Sequence, residues 1–300
     1  MGKKNILFRA DASSEIGTGH IMRDLVLAKE YKDDNVFFAT QKLKGNIDFI
    51  IEDAGYLVKT LASNHIDELI TLIEKLQIDM IVIDHYGIDE AFEKELKNKT
   101  GITVFVFDDT YEKHYCDILL NHNIYADEKK YKNLVPKFCE LRCGSEYTLL
   151  RDEFKELKHN KNMNKNKLFT FFVAMGGSDP KNLNSSIVEV LSEIPNIKVN
   201  IITTQANQNL EKLKKICENK MWIELHINCN NMAHLMVNSD FAIITPSVTA
   251  NEVYYMNLPF LAIKVTENQE YMYQFLAQNN YPVLEGFDNE KFKALIEDIV

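Results

Sequence analysis

Short apolar runs alternate with amphipathic stretches along the whole chain. Ile6-Leu7-Phe8 opens it as a first β-strand, and a polar loop with two glycines runs from Asp11 to His20. Ile21, Leu25 and Ala28, with Met22 and Val26 beside them, repeat at i, i+4, i+7 and predict a helix beginning at His20. Val36-Phe37-Phe38-Ala39 is a second strand, and 46–53 a helix that Gly55 should stop. Ile66, Leu69, Ile70, Ile73 and Leu76 mark one apolar face of a longer helix. The runs 78–84 and 102–107 read as buried strands with a helix at 89–98, closed by Gly101, between them; 116–120 is a last short strand.

The pattern lapses at 155–167, which is rich in Lys and Asn, and then restarts. Strands are predicted at 168–174, 197–203, 222–227, 241–245 and 260–265, and helices at 182–191, 209–218, 232–237, 249–256, 269–278 and 292–299. Strands separated by helices predict an α/β fold of doubly wound parallel sheets. With 300 residues, two domains are expected: 1–152 and 168–300, joined by a linker at 153–167. Ligands of such sheets sit at the carboxyl ends of the strands, so the two domains should face each other across a cleft.

Composition narrows the partners. Against 34 Lys and Arg stand 44 Asp and Glu, a net charge of −10, which excludes a uniform basic surface; no nucleic-acid partner is expected. No run of about 18 apolar residues exists, so no membrane span is expected. The basic start Met1-Gly2-Lys3-Lys4 is followed by an apolar stretch broken at Arg9 and Asp11, too short for a secretory signal. A cytoplasmic monomer is the expectation. Cys116, Cys139, Cys143, Cys217 and Cys229 are odd in number and contain no Cys-x-x-Cys pair, so they read as free thiols rather than a zinc site.

Three polar groups fall at strand ends of the first half: Asp11 to His20, Asp84-His85-Tyr86, and Asp108-Asp109. Gly17-Thr18-Gly19 is no dinucleotide fingerprint, because Met22 stands where the third glycine belongs and Thr40-Gln41, not an acid, ends the second strand. A P-loop is also absent. His20 follows backbone left open by Gly17 and Gly19, and a helix N-terminus favours the neutral imidazole that a general base needs. The competing reading is a histidine that merely packs. In the second half, Met175-Gly176-Gly177-Ser178 follows a strand and could bring backbone N–H groups to a phosphate, or be only a tight turn. Ser247 and Thr249 are helix-cap candidates. Glu252, one turn inside that helix, could bind a vicinal diol such as ribose or simply suit the helix dipole. Asn268-Gln269 adds amides at another helix start. With no Asp-x-Asp and no His/Cys cluster, no metal and no cofactor is expected.

The loop Arg9-x-Asp11-x-Ser13-Ser14-x-Ile16-Gly17-x-Gly19-His20, together with Asn251-Glu252, resembles the UDP-2,4-diacetamido-2,4,6-trideoxy-β-L-altropyranose hydrolases of pseudaminic acid synthesis. These are relatives of the transferase that adds N-acetylglucosamine to peptidoglycan lipid I. The blocks 83–88, 116–121, 142–144, 175–179 and 268–270 share the resemblance, which covers 5 to about 285. It implies a GT-B fold, two Rossmann-like domains with the catalytic loop in the first and the UDP site in the second. It further implies hydrolysis at the anomeric carbon with inversion. His20 would deprotonate water, Asp11 would orient His20 or contact sugar hydroxyls, and Tyr86 and His85 would hold the sugar. Gly176, Gly177, Ser178, Ser247 and Asn268 would meet the diphosphate, and Glu252 the ribose. A GT-B glycosyltransferase with a UDP-sugar donor is the alternative, and a non-catalytic nucleotide-sugar binder a third reading.

Overall fold

The structure is a computed structural model that describes residues 2–158 and 168–300. It divides into two compact units, Met1–Leu149 and Leu150–Val300. The first contains β1 (Asn5–Ala10), α1 (Gly19–Ala28), β2 (Asn35–Gln41), α2 (Asp48–Asp53), β3 (Leu57–Leu61), α3 (Ile66–Leu76), β4 (Met80–Asp84), α4 (Glu90–Thr100), β5 (Thr103–Phe107), β6 (Ile118–Asn121) and β7 (Glu140–Cys143). Its seven strands form one parallel sheet in the order β3-β2-β1-β4-β5-β6-β7.

Strand alternation sorts this sheet into two faces. Ile6, Phe8 and Ala10 of β1 join Val82, Phe105, Phe107 and Leu120 in one core, which α1 and α2 cover through Ile21, Leu27 and Ile51. Leu7 joins Ile81, Ile83, Val104 and Val106 in the other, covered by Leu69, Ile73 and Leu96 of α3 and α4. Gly101 ends α4 as expected: it takes φ 70°, cheap only for glycine, and its N–H donates to the Lys97 carbonyl at 2.8 Å.

The second unit contains α5 (Asp152–Leu157), β8 (Phe169–Ala174), α6 (Leu183–Leu191), β9 (Ile197–Thr203), α7 (Leu210–Cys217), β10 (Ile223–Ile227), α8 (Met232–Val237), β11 (Phe241–Ile244), α9 (Val248–Tyr255), β12 (Phe260–Lys264), α10 (Glu270–Gln278), β13 (Val283–Glu285) and α11 (Asn289–Glu297). Its sheet is also parallel, in the order β10-β9-β8-β11-β12-β13.

Two expectations change. The break in the chain falls between Leu149 and Leu150, ahead of the expected linker. Residues 153–157, read as linker, belong to α5, because Phe154 is an apolar anchor with 0% exposure and the helix packs on α8. The rest of that stretch, 159–167, lies outside the described residues. Strands β3, β7 and β13 add to the predicted set. They lie at sheet edges and are mostly half-exposed, so their residues never form the continuous apolar run that marks a central strand.

Candidate active site

Each sheet has one place where the winding reverses, and the polar loops gather there. In the first sheet β1 and β4 are neighbours and the chain leaves them in opposite directions, with Ala10 in register with Asp84. The loops after β1 and β4 therefore open side by side. In the second sheet the reversal lies between β8 and β11, with Ala174 beside Ile244. It adjoins the Met175–Ser178 and Thr245–Ser247 loops.

His20 is the second residue of α1 and is 9% exposed. The loop ahead of it is closed by Ser13 and Gly17, which exchange backbone hydrogen bonds of 2.8 and 3.3 Å, while the Ser13 hydroxyl accepts from the Glu15 and Ile16 amides. A side chain built at Gly17 or Gly19 would meet nothing within 4 Å, so the backbone there borders open space. The Nδ1 of His20 lies 3.8 Å from Asp84 Oδ1, and its ring makes an edge contact with Tyr86, centroids 4.9 Å apart. Burial lowers the imidazole pKa, and Arg23 acts in the same direction against the carboxylates of Asp84 and Asp109. His20 is thus neutral at pH 7.

The carboxylate beside His20 is Asp84, not Asp11, and strand parity explains it. Asp84 shares the α1 face with Ala10, whereas Arg9 follows Leu7 onto the opposite face. Asp11 stays with Arg9, which grips it through both terminal nitrogens at 2.8 Å. The Gln41 amide donates to Asp11 at 2.6 Å, and Arg9 also bonds Asn64. His85 Nδ1 accepts from the Gly87 amide at 2.9 Å, which leaves Nε2 as the protonated nitrogen, 3.1 Å from Asp11 Oδ2. Burial opposes ionisation of Asp11, yet these partners together hold it well below the usual carboxylate range. Asp11 and His85 are consequently engaged with each other and with the loop backbone.

Tyr86 is 66% exposed and donates to the Asp109 carboxylate at 3.0 Å. Sequence reasoning missed Arg23, one turn along α1 from His20 and 8% exposed. Its Nε and Nη2 meet Asp84 at 2.6 and 2.5 Å, and its Nη1 meets Asp109 at 3.1 Å. The available signal was its i+3 spacing from His20 on a largely buried helix. Asp108 points elsewhere: it accepts from the Tyr131 hydroxyl and the Thr110 and Tyr111 amides. Buried His114 lies between Glu93, whose carboxylate meets its Nδ1 at 2.7 Å, and Asp108, 3.8 Å from its Nε2; these two carboxylates carry its pKa to about 9 despite burial. A cavity of about 800 Å³ opens between the loops after β4 and β5, with Asp84, His85 and Tyr86 in one wall and Ile88, Val106 and Leu134 in another.

In the second unit Gly176 takes φ 81°, and a side chain there would meet nothing within 4 Å. Gly177 is tighter, since a Cβ would come 3.0 Å from Thr204, whose hydroxyl donates to the Gly177 carbonyl at 2.9 Å. Asp179 fixes the turn by accepting from the Leu183 and Asn184 amides at 2.7 and 3.0 Å. Ser178 is exposed at its crest. Ser247 heads α9 with its hydroxyl 3.1 Å from that of Thr245. Glu252 is a largely buried residue of α9, 3.5 Å from Arg151, and burial lifts its pKa to about 7. Asn268 is exposed in a short 3-10 turn before α10, where it accepts from the Thr266 hydroxyl at 2.6 Å. Among the described residues, no group of three or more His, Cys, Asp or Glu is placed to hold a metal. No helix described is long and apolar enough to cross a membrane.

Two parallel-sheet Rossmann-like units make this a GT-B protein. The solved structure of MurG from Acinetobacter baumannii matches 99% of the chain and 90% of its own at a TM-score of 0.67 and 13% identity. The UDP-GlcNAc 2-epimerase of Neisseria meningitidis, solved with UDP-GlcNAc, matches 98% and 91% at a TM-score of 0.62 and 14% identity. No family model matches the sequence. The UDP-2,4-diacetamido-2,4,6-trideoxy-β-L-altropyranose hydrolase of Campylobacter jejuni is 44% identical over 280 residues, 93% of this chain and 98% of that protein. The chain belongs to that hydrolase family.

Proposed function

We propose that the protein hydrolyses UDP-2,4-diacetamido-2,4,6-trideoxy-β-L-altropyranose to UDP and the free sugar, in pseudaminic acid synthesis. The near full-length 44% identity to the Campylobacter hydrolase carries the reading. The neutral, buried His20 at an open glycine loop supports it chemically. A water oxygen bonds to the anomeric carbon as the bond to UDP breaks, and its electron pair leaves with the diphosphate. The water proton passes to His20, whose Nδ1 faces Asp84 and whose Nε2 is left to receive it. Attack opposite the leaving group inverts the anomeric centre. Tyr86 is assigned to the sugar.

UDP is assigned to the second unit: diphosphate at Gly176, Gly177, Ser178, Ser247 and Asn268, ribose at Glu252. Asp11 and His85 are assigned to holding the catalytic loop, since each is saturated by its neighbours. The setting proposed is the cytoplasm.

An NMR time course with the UDP-sugar and no acceptor tests this. UDP release with the inverted anomer formed first is expected; release only after a sugar acceptor is added would overturn hydrolysis. His20→Asn should still bind UDP while losing ~1,000-fold in kcat, within the range for general-base removal.

A further inference from the structure

We infer that Arg23 is the positioning residue of this site: it locks the base His20 and the phenol Tyr86 into one array through the two carboxylates behind them. The inference rests on the hydrolase reading for its kinetic consequences, and on geometry alone for the array. Asp84 lies behind His20, with Oδ1 3.8 Å from the imidazole Nδ1. Asp109 lies behind Tyr86, accepting its hydroxyl at 3.0 Å. One carboxylate ends β4 and the other lies in the loop after β5, and Arg23 bridges them from a third element, α1. The guanidinium is further held over the Phe107 ring at 5.0 Å. A planar fork is needed for this: Nε and Nη2 take both oxygens of Asp84 while Nη1 reaches Asp109. An ammonium of the same charge can meet one carboxylate squarely, not both in that geometry.

The array also sets charge. Arg23 with Asp84 and Asp109 carries a net single negative charge beside a neutral His20. Two more buried groups face it. Asp24, on α1, is fully buried with neither oxygen hydrogen-bonded among the described residues, and burial with the nearby Asp84 charge raises its pKa, against ionisation. His122, after β6, has both nitrogens likewise without a partner, and burial drops its pKa to about 3. His85 and the Tyr86 phenol, whose ring makes the edge contact, also face His20. When His20 accepts the water proton, the array becomes neutral overall, so the charge formed in the step meets a fixed countercharge. Arg23 limits that countercharge: without it, two carboxylates would face the imidazole and favour its taking a proton from solvent before the step.

The test is a set of three variants read by kinetics and by the NMR titration of the His20 ring. Arg23→Lys keeps the charge and loses the fork. It should lower kcat by about 100-fold, the cost of misplacing reacting groups by about 1 Å, with KM and UDP affinity near wild type. Arg23→Gln removes the charge and should move the His20 titration, and the acid limb of kcat/KM, to higher pH. Asp109→Asn sits at the more exposed end of the array and is the safeguard if Arg23 variants fold poorly. It should lower kcat and move the same titration to lower pH, opposite to Arg23→Gln. A merely structural arginine would lower the melting temperature of each variant without these opposed shifts. Arg23→Lys turning over within twofold of wild type overturns the positioning role, and an unmoved His20 titration in Arg23→Gln overturns the charge role. If the wild-type protein releases no UDP, the hydrolase reading fails, while the NMR titrations still decide the array.

Discussion

Glu252→Gln separates stability from ligand binding in the second unit. The wild-type carboxyl lies inside α9, 12% exposed, and its nearest cation is poorly placed. Arg151 contacts Glu153 at 2.9 Å and reaches Glu252 only at 3.5 Å. Burial therefore dominates and carries the pKa from 4.5 to about 7. The sign follows from proton linkage: the folded state holds this proton more tightly than the unfolded chain, so stability is lost as pH rises from 4.5 to about 7. At about 1.36 kcal/mol for each tenfold change in proton affinity, the ionised group costs about 3 kcal/mol above pH 7. Gln carries no such charge. Relative to wild type, the variant should gain about 3 kcal/mol between pH 4.5 and pH 8, or about 6–12 °C in Tm for a unit of this size. A carboxylate accepting a ribose diol makes charged hydrogen bonds worth about 1.5–3 kcal/mol, so the same change should weaken UDP by about 10–100-fold. Thermal melts at the two pH values and calorimetric UDP titration at pH 8 read both quantities. A Tm difference that does not grow with pH refutes the burial argument; unchanged UDP affinity refutes the ribose assignment.

Three further outcomes are expected. The kcat/KM profile should fall about tenfold per pH unit on the acid side, with its break below 6.5 because burial lowers the His20 pKa; stopped assays from pH 5 to 8 check this, and a break above 7 contradicts it. Gly176→Ala forces a side chain into φ 81° and should cost about 1 kcal/mol in urea unfolding, while weakening UDP in the titration if this loop carries the diphosphate. Phe154→Ala empties a fully buried site and should destabilise the second unit by about 3–5 kcal/mol, seen as a lower urea midpoint, whereas a true linker residue would leave it unchanged.

The loop that carries His20 was legible because its residues are contiguous: a strand, two glycines and a histidine at a helix start all lie between 6 and 20. The Gly176 loop and Glu252 were legible for the same reason, as local punctuation after a strand and within a helix turn. What the carboxylates do was not. Asp11 stood nearest His20 in sequence and fell on the other face of the sheet, where Arg9 and His85 occupy it. Asp84, 64 positions from His20, took the place beside it because β4 inserts next to β1. Both ring nitrogens of His85 have neighbours, Asp11 and the Gly87 amide, and the first of these pairings spans 74 positions that no local pattern links.

Sequence alone determined the alternating strands and helices, the double start of the pattern and the histidine at the start of the first helix, since burial periodicity and turn residues act over a few neighbours. Tertiary structure decided the edge strands, the helical character of 153–157 and the Arg23 bridge. Arg23 reaches partners 61 and 86 residues away, a pairing that exists only once the sheet order brings three loops together. Periodicity tells which side of an element is buried, and only packing tells which buried charge meets which.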